Sequence, residues 1–540
     1  MALLRAAGLC RLALRTQWAA ARLLGSSAGG GEPPDAEDKQ GRRFALEALR
    51  RERALRPPSD RPPRVPPLRQ PRVTSELGKS TDWTVRFNAK IQACASVEAV
   101  LDLVTPQLER LSYVNVSTAL LTISRRAARG PTAWLRVDTR FTQLLASAAR
   151  VIERMEPRNL SNSLYACGQL GVTPPADWLQ RFWHASALKL DDFNPQELSN
   201  TLYACGQLGV TPPADWLQRY WTASALKLGE STPQQLSNTL YACGQLGIVP
   251  SADWMEHYWQ VSASKMDEFK PQDFSNTLYA CSKLATVPPV DWLERYWKAS
   301  ASKLGEFKPQ ELNNTVLSCG LLNTRPPSDW LQRFSSACER ALPGMDQQGL
   351  ANTALALATL ALWELSLWRS LWERLCGSLP RDIAGWSAKD RLAAQQLYQV
   401  YQTAAVERPG LLPSPNPELL AAARKSWIDG TVDTASKLHA DVSACLTRMG
   451  VAHVNERWCD KAERSIDIAI EGATPVAVEV DGPYHFLQDG RQDGSTLLRN
   501  RMLKAHGWRV VVVDYRDWRS QRTEAQREAY LRSLLSSALP

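Results

Sequence analysis

The chain has 540 residues, 44% of them hydrophobic, with 20 Trp and a formal net charge of +9. That length exceeds one ordinary core, so two or more structural regions are expected, and the apolar and aromatic content excludes a disordered polymer. No stretch approaches the run of about 18 uncharged apolar residues that a membrane-spanning helix needs, which excludes that class as well.

The positive charge is local. Residues 1–90 carry 18 Lys and Arg against 9 Asp and Glu, so the remaining 450 residues are formally neutral, with 46 groups of each sign. A basic groove on the body would therefore have to come from charges gathered on one face rather than from a general excess. At the start, MALLRAAGLCRLALRTQWAAARLLGSSAGGG places Arg5, Arg11, Arg15 and Arg22 among leucines and alanines, with no acid before Glu32. Residues 1–31 thus read as an organellar targeting presequence, mitochondrial first and chloroplast as the alternative. Residues 32–80 contain RPPSDRPPRVPPLRQPR, lack apolar periodicity and predict an extended, disordered Pro/Arg-rich arm.

From there the sequence repeats itself. Trp178, Trp216, Trp254, Trp292, Trp330 and Trp368 recur every 38 residues, as do Asn162, Asn200, Asn238, Asn276, Asn314 and Asn352. Each unit divides into two helices. PPADW opens the first, with proline where early N–H groups have no partner. Asn194-Pro195-Gln196-Glu197 opens the second as a capping box, and Gly209 closes it. Such pairs bury their apolar faces by stacking, so residues 81–410 predict an α-solenoid, strongest over about 140–340. Five of the 11 Cys, Cys167, Cys205, Cys243, Cys281 and Cys319, keep the same period inside apolar helical patterns. They read as small core residues in a reducing compartment, and the lack of any CxxC pair argues against zinc. The repeat Asn reads as a structural residue that holds the adjoining turn, and pairs such as Trp178 with Trp183 read as core.

The 38-residue period, the PPxDW opening and PQxLSNTLYACxxLG resemble the octotricopeptide repeat family of organellar RNA-binding proteins. That resemblance implies about one nucleotide of single-stranded RNA per unit, as in other helical repeats. Six residues after the repeat Trp stand His184, Thr222, Gln260, Lys298 and Ser336, polar but chemically different. If the first helices line the concave side, this row faces the ligand and reads base edges; otherwise it is a solvent-exposed row free to vary. Three residues earlier stand Arg181, Arg219, His257, Arg295 and Arg333, suited to phosphate contact or to pairing with neighbouring acids.

Residues 411–433 read as a linker. From 434 to 540 the pattern alternates between helix and strand, with RSIDIAI, PVAVEVDGPYHF, a helix STLLRNRMLKAHG, the apolar run WRVVVVDY and a last helix. VEVDGPYHF followed by LLRNRMLKAHGWRVVVVDY resembles the RAP domain, a small α/β module similar to the restriction-endonuclease-like fold and in particular to very-short-patch-repair-type nucleases. The resemblance implies Asp467, Glu479 and Asp481, with His485, as catalytic groups, and Asp467, Glu479 and Asp481 as ligands of Mg²⁺. Where such nucleases carry Glu-x-Lys, this chain has Glu479-Val480-Asp481, so a cation would come from Arg499 or Lys504, which equally suit RNA phosphate. The expected protein is mainly α, a solenoid followed by an α/β domain. Its expected function is binding of single-stranded organellar RNA, mRNA or rRNA, in RNA stability, processing or translation, with no cofactor required. The alternatives are a Mg²⁺-dependent endoribonuclease and a structural component of an organellar ribosome.

Overall fold

The computed structural model describes residues 80–430, 436–472 and 474–536. The expected presequence, all but the last residue of the Pro/Arg arm, and the chain's last four residues lie outside the described residues. The described residues fall into two compact units, 80–280 and 281–536.

The first unit is a stack of helices. It runs α1 (Ser80–Ala93), α2 (Val97–Val104), α3 (Tyr113–Arg126), α4 (Thr139–Val151), α5 (Pro157–Leu170), α6 (Ala176–Ala187), α7 (Pro195–Leu208), α8 (Ala214–Lys227), α9 (Pro233–Leu246) and α10 (Ala252–Ser264), then most of α11 (Pro271–Lys283). From α2 on, even-numbered helices are first helices of a unit and odd-numbered ones are second helices. The helix ends follow the local chemistry read from the sequence. The Asn194 side chain accepts from the Glu197 N–H while Glu197 reaches back to the Asn194 N–H, both at 2.9 Å. Gly209 takes the left-handed conformation, φ 63°, that closes α7 without a side-chain penalty.

Three contacts fasten each unit to the one before. The Trp216 indole N–H donates to Ser186 Oγ at 2.9 Å, and Trp254 repeats this on Ser224 at 3.0 Å. Lys189 Nζ donates to the Glu153 and Met155 carbonyls, and Lys265 does the same to Gly229 and Ser231. Second helices approach closely: a Cβ on Gly168 or Gly206 would lie 3.1 Å from the Cα of Ala204 or Ala242. Between first helices an aromatic chain runs Trp178, Phe182, Trp183, Trp216, Tyr220, Trp221, Trp254, Tyr258, Trp259, with ring centres 5.1–5.4 Å apart. Bulky rings thus separate the first helices while glycine lets the second helices touch, so the second helices form the tighter row.

The second unit continues the pattern with α12 (Val290–Ala301), α13 (Pro309–Leu321), α14 (Ser328–Ala341), α15 (Gln347–Thr359), α16 (Trp368–Ser378) and α17 (Ala388–Glu407). The stretch expected as a linker instead forms α18 (Pro417–Asp429), which buries Ala423 and Trp427. The α/β module follows: α19 (Lys437–Arg448), β1 (Val454–Cys459), β2 (Arg464–Ile470), β3 (Val476–Asp481), α20 (Gly494–Ala505), β4 (Arg509–Asp514), α21 (Tyr515–Ser520) and α22 (Glu524–Ser536). Strand order is β1-β2-β3-β4, with β1–β2 and β2–β3 antiparallel and β3–β4 parallel across α20. One face carries Ile468, Val476, Val478 and Val513 under α19 and α22, and Ala469 and Ala477 meet Leu503 of α20 on the other. The mainly α solenoid with a small α/β domain is the architecture expected from the sequence. β1 was not foreseen, because VNERWC is a largely exposed edge strand without apolar alternation.

One interlock is missing. Buried Trp178 Nε1 has no hydrogen-bond partner, and the position 30 residues before it, where Ser186 precedes Trp216, is Ala148. Ala148→Ser is expected to supply the acceptor and add about 0.5–1.5 kcal/mol, raising the unfolding temperature in calorimetry, whereas Ser186→Ala lowers it.

Candidate nucleic-acid interface

The first-helix row lies open to solvent. Arg181, His184, Arg219, Thr222, Gln260, Arg295, Lys298, Arg333 and Ser336 are exposed, and His257 is half-buried. Their positions do not gather positive charge. An exposed Asp stands four residues before each member of the Arg/His row, Asp177, Asp215, Asp253, Asp291 and Asp329, one helical turn away. The Thr222 and Ser336 hydroxyls donate back to their own helices, to the Gln218 and Gln332 carbonyls. Within residues 80–280 the second helices form the tighter row and the first helices the more widely spaced one.

The repeat Asn behaves differently from its expected role. Among the described residues, Asn162, Asn200, Asn238, Asn276 and Asn314 make no side-chain hydrogen bond, although each is half-buried on a second helix. The turn is held instead by capping boxes and by the lysines. Only at the degenerate sixth unit is the amide used internally: Asn352 Oδ1 accepts from Gln348 at 2.8 Å and Gln396 at 2.9 Å.

In the α/β module, strand alternation puts Glu479 and Asp481 on one face of β3, as expected, and both are buried, 1% and 0% exposed. Arg499 comes down from α20 between them. Its Nε lies 3.0 Å from Glu479 Oε2 and its Nη2 2.7 Å from Asp481 Oδ1. Burial pushes the Asp481 carboxyl up, but the charges of Arg499 and His485 and hydrogen bonds from Arg499 and Gln492 outweigh it and hold the group below its ordinary range. The guanidinium thus stands where the expected Mg²⁺ would be, and these carboxylates as arranged do not fit a divalent ion. Buried Arg499 is likewise closed to RNA phosphate, a correction to its expected role, while Lys504 is exposed. Asp467 Oδ2 accepts the Val480 N–H at 2.8 Å, and His485 Nδ1 lies 2.9 Å from Thr496 Oγ1. The group among the described residues with metal-ligand spacing is a different one, His439, Glu456 and Asp467. There the imidazole is already engaged on both nitrogens, 3.1 Å from Glu456 Oε1 and 3.1 Å from Asn455 Oδ1. The Glu456 hydrogen bond raises the His439 pKa against the opposing effect of burial, and the pair fastens α19 to β1.

The module is anchored to its neighbouring second helices at their C-terminal ends. The Gln488 N–H donates to the Ala285 carbonyl at 2.8 Å and its side chain to that of Leu284 at 3.0 Å. Arg501 donates to the Ala358 and Thr359 carbonyls, 2.7 and 3.0 Å, and pairs with Glu407. These carbonyls lie at or just beyond helix C-termini, where intrahelical donors run out. Gly494 abuts α13 so closely that a Cβ there would lie 1.8 Å from the Gly320 carbonyl oxygen. Glu463 gathers Tyr398, Gln402 and Arg424. The sequence carries a signal of this docking. The closing residue of the second helix is Gly171, Gly209 and Gly247 in three units, but Ala285, Asn323 and Ala361 in the next three, left-handed at φ 51°, 46° and 51° despite their side chains. Ala285 is fully buried, so packing offsets the strain of that conformation.

With this geometry in place, the chain can be compared with known proteins. The RAP domain model matches residues 478–534. Two further models match the array: the N-terminal domain of the Tbc2 translation factor over 217–365 and its C-terminal domain over 76–246. The two come in reversed order and overlap, as a repeated module allows when it aligns in more than one register. A "RAP domain-containing protein, chloroplastic" of Oryza sativa subsp. japonica is 26% identical over 182 residues, 33% of this chain and 28% of that protein. The similarity therefore spans under a third of that relative's length.

Arg499→Ala is expected to leave two buried carboxylates without their cation and to cost about 3–5 kcal/mol. The pH dependence reverses with it. In the parent chain the Asp481 contribution is present above the carboxylate's ordinary pKa of 3.8 and fades as pH falls through the depressed value. In the variant, protonation relieves the pair, so urea midpoints measured from about pH 7 down to about pH 5 should rise toward the acid end.

Proposed function

We propose that this RAP-domain protein is an organellar RNA-binding factor, whose helical array holds single-stranded RNA and so acts in RNA stability, processing or translation. The observation that carries this reading is the array itself: near-identical helical pairs fastened by the same Trp–Ser and Lys–carbonyl contacts, presenting the same solvent-facing positions every 38 residues. A periodic scaffold of this kind suits a periodic polymer, and helical repeats that read one base each are an established solution. Similarity to translation-factor domains over 76–365 supports the same reading, and the chloroplastic relative supports an organelle without choosing between mitochondrion and chloroplast.

Under this reading the RAP domain is a docked, non-cutting module. Cleavage by a nuclease of this fold needs an ion bridging carboxylates and phosphate, and the Arg499 guanidinium already pairs with both Glu479 and Asp481. Asp467 and His485 then serve the domain's own hydrogen bonding.

The full chain is expected to bind random-sequence single-stranded RNA in preference to duplex RNA, with affinity that falls as salt rises, in fluorescence anisotropy. With Mg²⁺ or Mn²⁺ added, the RNA should remain intact. Equal binding of duplex, or none of either, sinks the proposal; metal-dependent cutting abolished by Asp467→Ala would replace it with the endonuclease.

A further inference from the structure

On a second helix such as α7, Leu198, Ser199, Thr201, Leu202, Ala204, Cys205 and Gly206 are buried, and Gln196, Asn200 and Gln207 are half-buried on one stripe that also carries Tyr203, itself buried. The spacings of 4, 3 and 4 residues keep these four on one face of the helix. The stripe recurs as Gln234, Asn238, Tyr241 and Gln245 on α9, and as Arg158, Asn162, Tyr165 and Gln169 on α5. Gln272, Asn276 and Tyr279 carry it onto α11. Neighbouring tyrosine rings lie 6.1–6.5 Å apart along the row.

The asparagines stand out because their neighbours are employed and they are not. Ser199 Oγ donates to the Gln235 carbonyl and Thr201 Oγ1 to that of Glu197. Asn162, Asn200, Asn238 and Asn276 have no partner among the described residues. Asn in a helix interior is also a poorer helix former than Ala, so a residue repeated there four times serves neither the cap, the core nor the helix. Charge separates the two helix rows as well. The stripe carries no carboxylate on α5, α7, α9 or α11 and holds Arg158, whereas each Arg of the first-helix row follows an exposed Asp. A polyanion meets less repulsion on the second-helix side.

We propose that this second-helix stripe, within residues 80–280, is the base-contacting surface for single-stranded RNA, with one carboxamide per unit, Asn162, Asn200, Asn238 and Asn276, reading one base each. The proposal rests on the RNA-binding reading above and assigns its site. A carboxamide presents one acceptor and two donors, the complement of a base edge, and the half-buried Tyr165, Tyr241 and Tyr279 add aromatic contact to the row. Since the same Asn and Tyr recur in four adjacent units, the preferred RNA is a run of one base. A varied code would need varied readers, and those lie on the first helices.

The test uses the full chain and four homopolymeric single-stranded RNAs beside a random-sequence pool. One homopolymer is expected to bind at least about tenfold more tightly than the others. Asn200→Ala with Asn238→Ala should weaken that RNA by about tenfold or more and leave the unfolding temperature unchanged or higher, because no internal bond is lost. Exchanging His184, Thr222 and Gln260 among themselves should leave binding within about twofold. A fall in unfolding temperature for the Asn variants with binding intact overturns the proposal by making the amides structural. So does binding that follows the first-helix exchange and ignores the Asn substitutions, an outcome that keeps the RNA reading. Equal affinity for all four homopolymers overturns it too, and failure of every RNA to bind sinks both.

Discussion

The approach of one second helix to the next governs the array. A Cβ on Gly168, Gly206 or Gly244 would meet the Cα of Ala204, Ala242 or Ala280 at 3.0–3.1 Å. Backbones that close cannot admit a side chain between them, so the apolar bulk of each unit is displaced to the first helices, where Trp, Phe and Tyr fill the wider gap. The stripe that glycine does not occupy stays only half-buried, since a helix packed on both flanks leaves one face uncovered.

The same packing logic explains the docking of the α/β module. Helix C-termini expose carbonyls that need donors, and in α15 these are met by Arg501, whose planar fork reaches two carbonyls and Glu407 at once. Where the module sits, the closing glycine is replaced, and a left-handed Ala285 buried by packing stands in its place. Inside the module an arginine again does the deciding. Two carboxylates on one strand face demand a cation, and Arg499 provides it from the adjoining helix, which gives a closed, buried centre.

Much of the architecture was legible in the sequence. The Asn194–Glu197 capping box, the glycine at 209 and the 38-residue period are local signals with local causes, and the structure reproduces them. VNERWC escaped because an edge strand with polar residues on both faces has no periodicity to read. Pro417–Asp429 looked like a linker because its proline-rich approach masks a helix that only Trp427, tucked beside Glu463, reveals. Of the candidate site residues, Arg499 and Lys504 are the two cations the sequence offers, and that Arg499 is sealed between Glu479 and Asp481 depends on where α20 lies against β3.

Sequence alone determined the repeat, its helix boundaries, the apolar stripes and the pairing of acids along β3, because these depend on residues a few positions apart. Tertiary structure decided which helix row is tightly packed, which polar stripe is left open, and that Ala285 and Arg501 belong to one interface. Those outcomes join residues hundreds of positions apart, and a periodic sequence assigns the same pattern to every unit whether or not a domain docks on it. The row that varies drew attention for its variety. The unvarying Asn row became visible only when its amides lacked the internal partners expected of a structural residue.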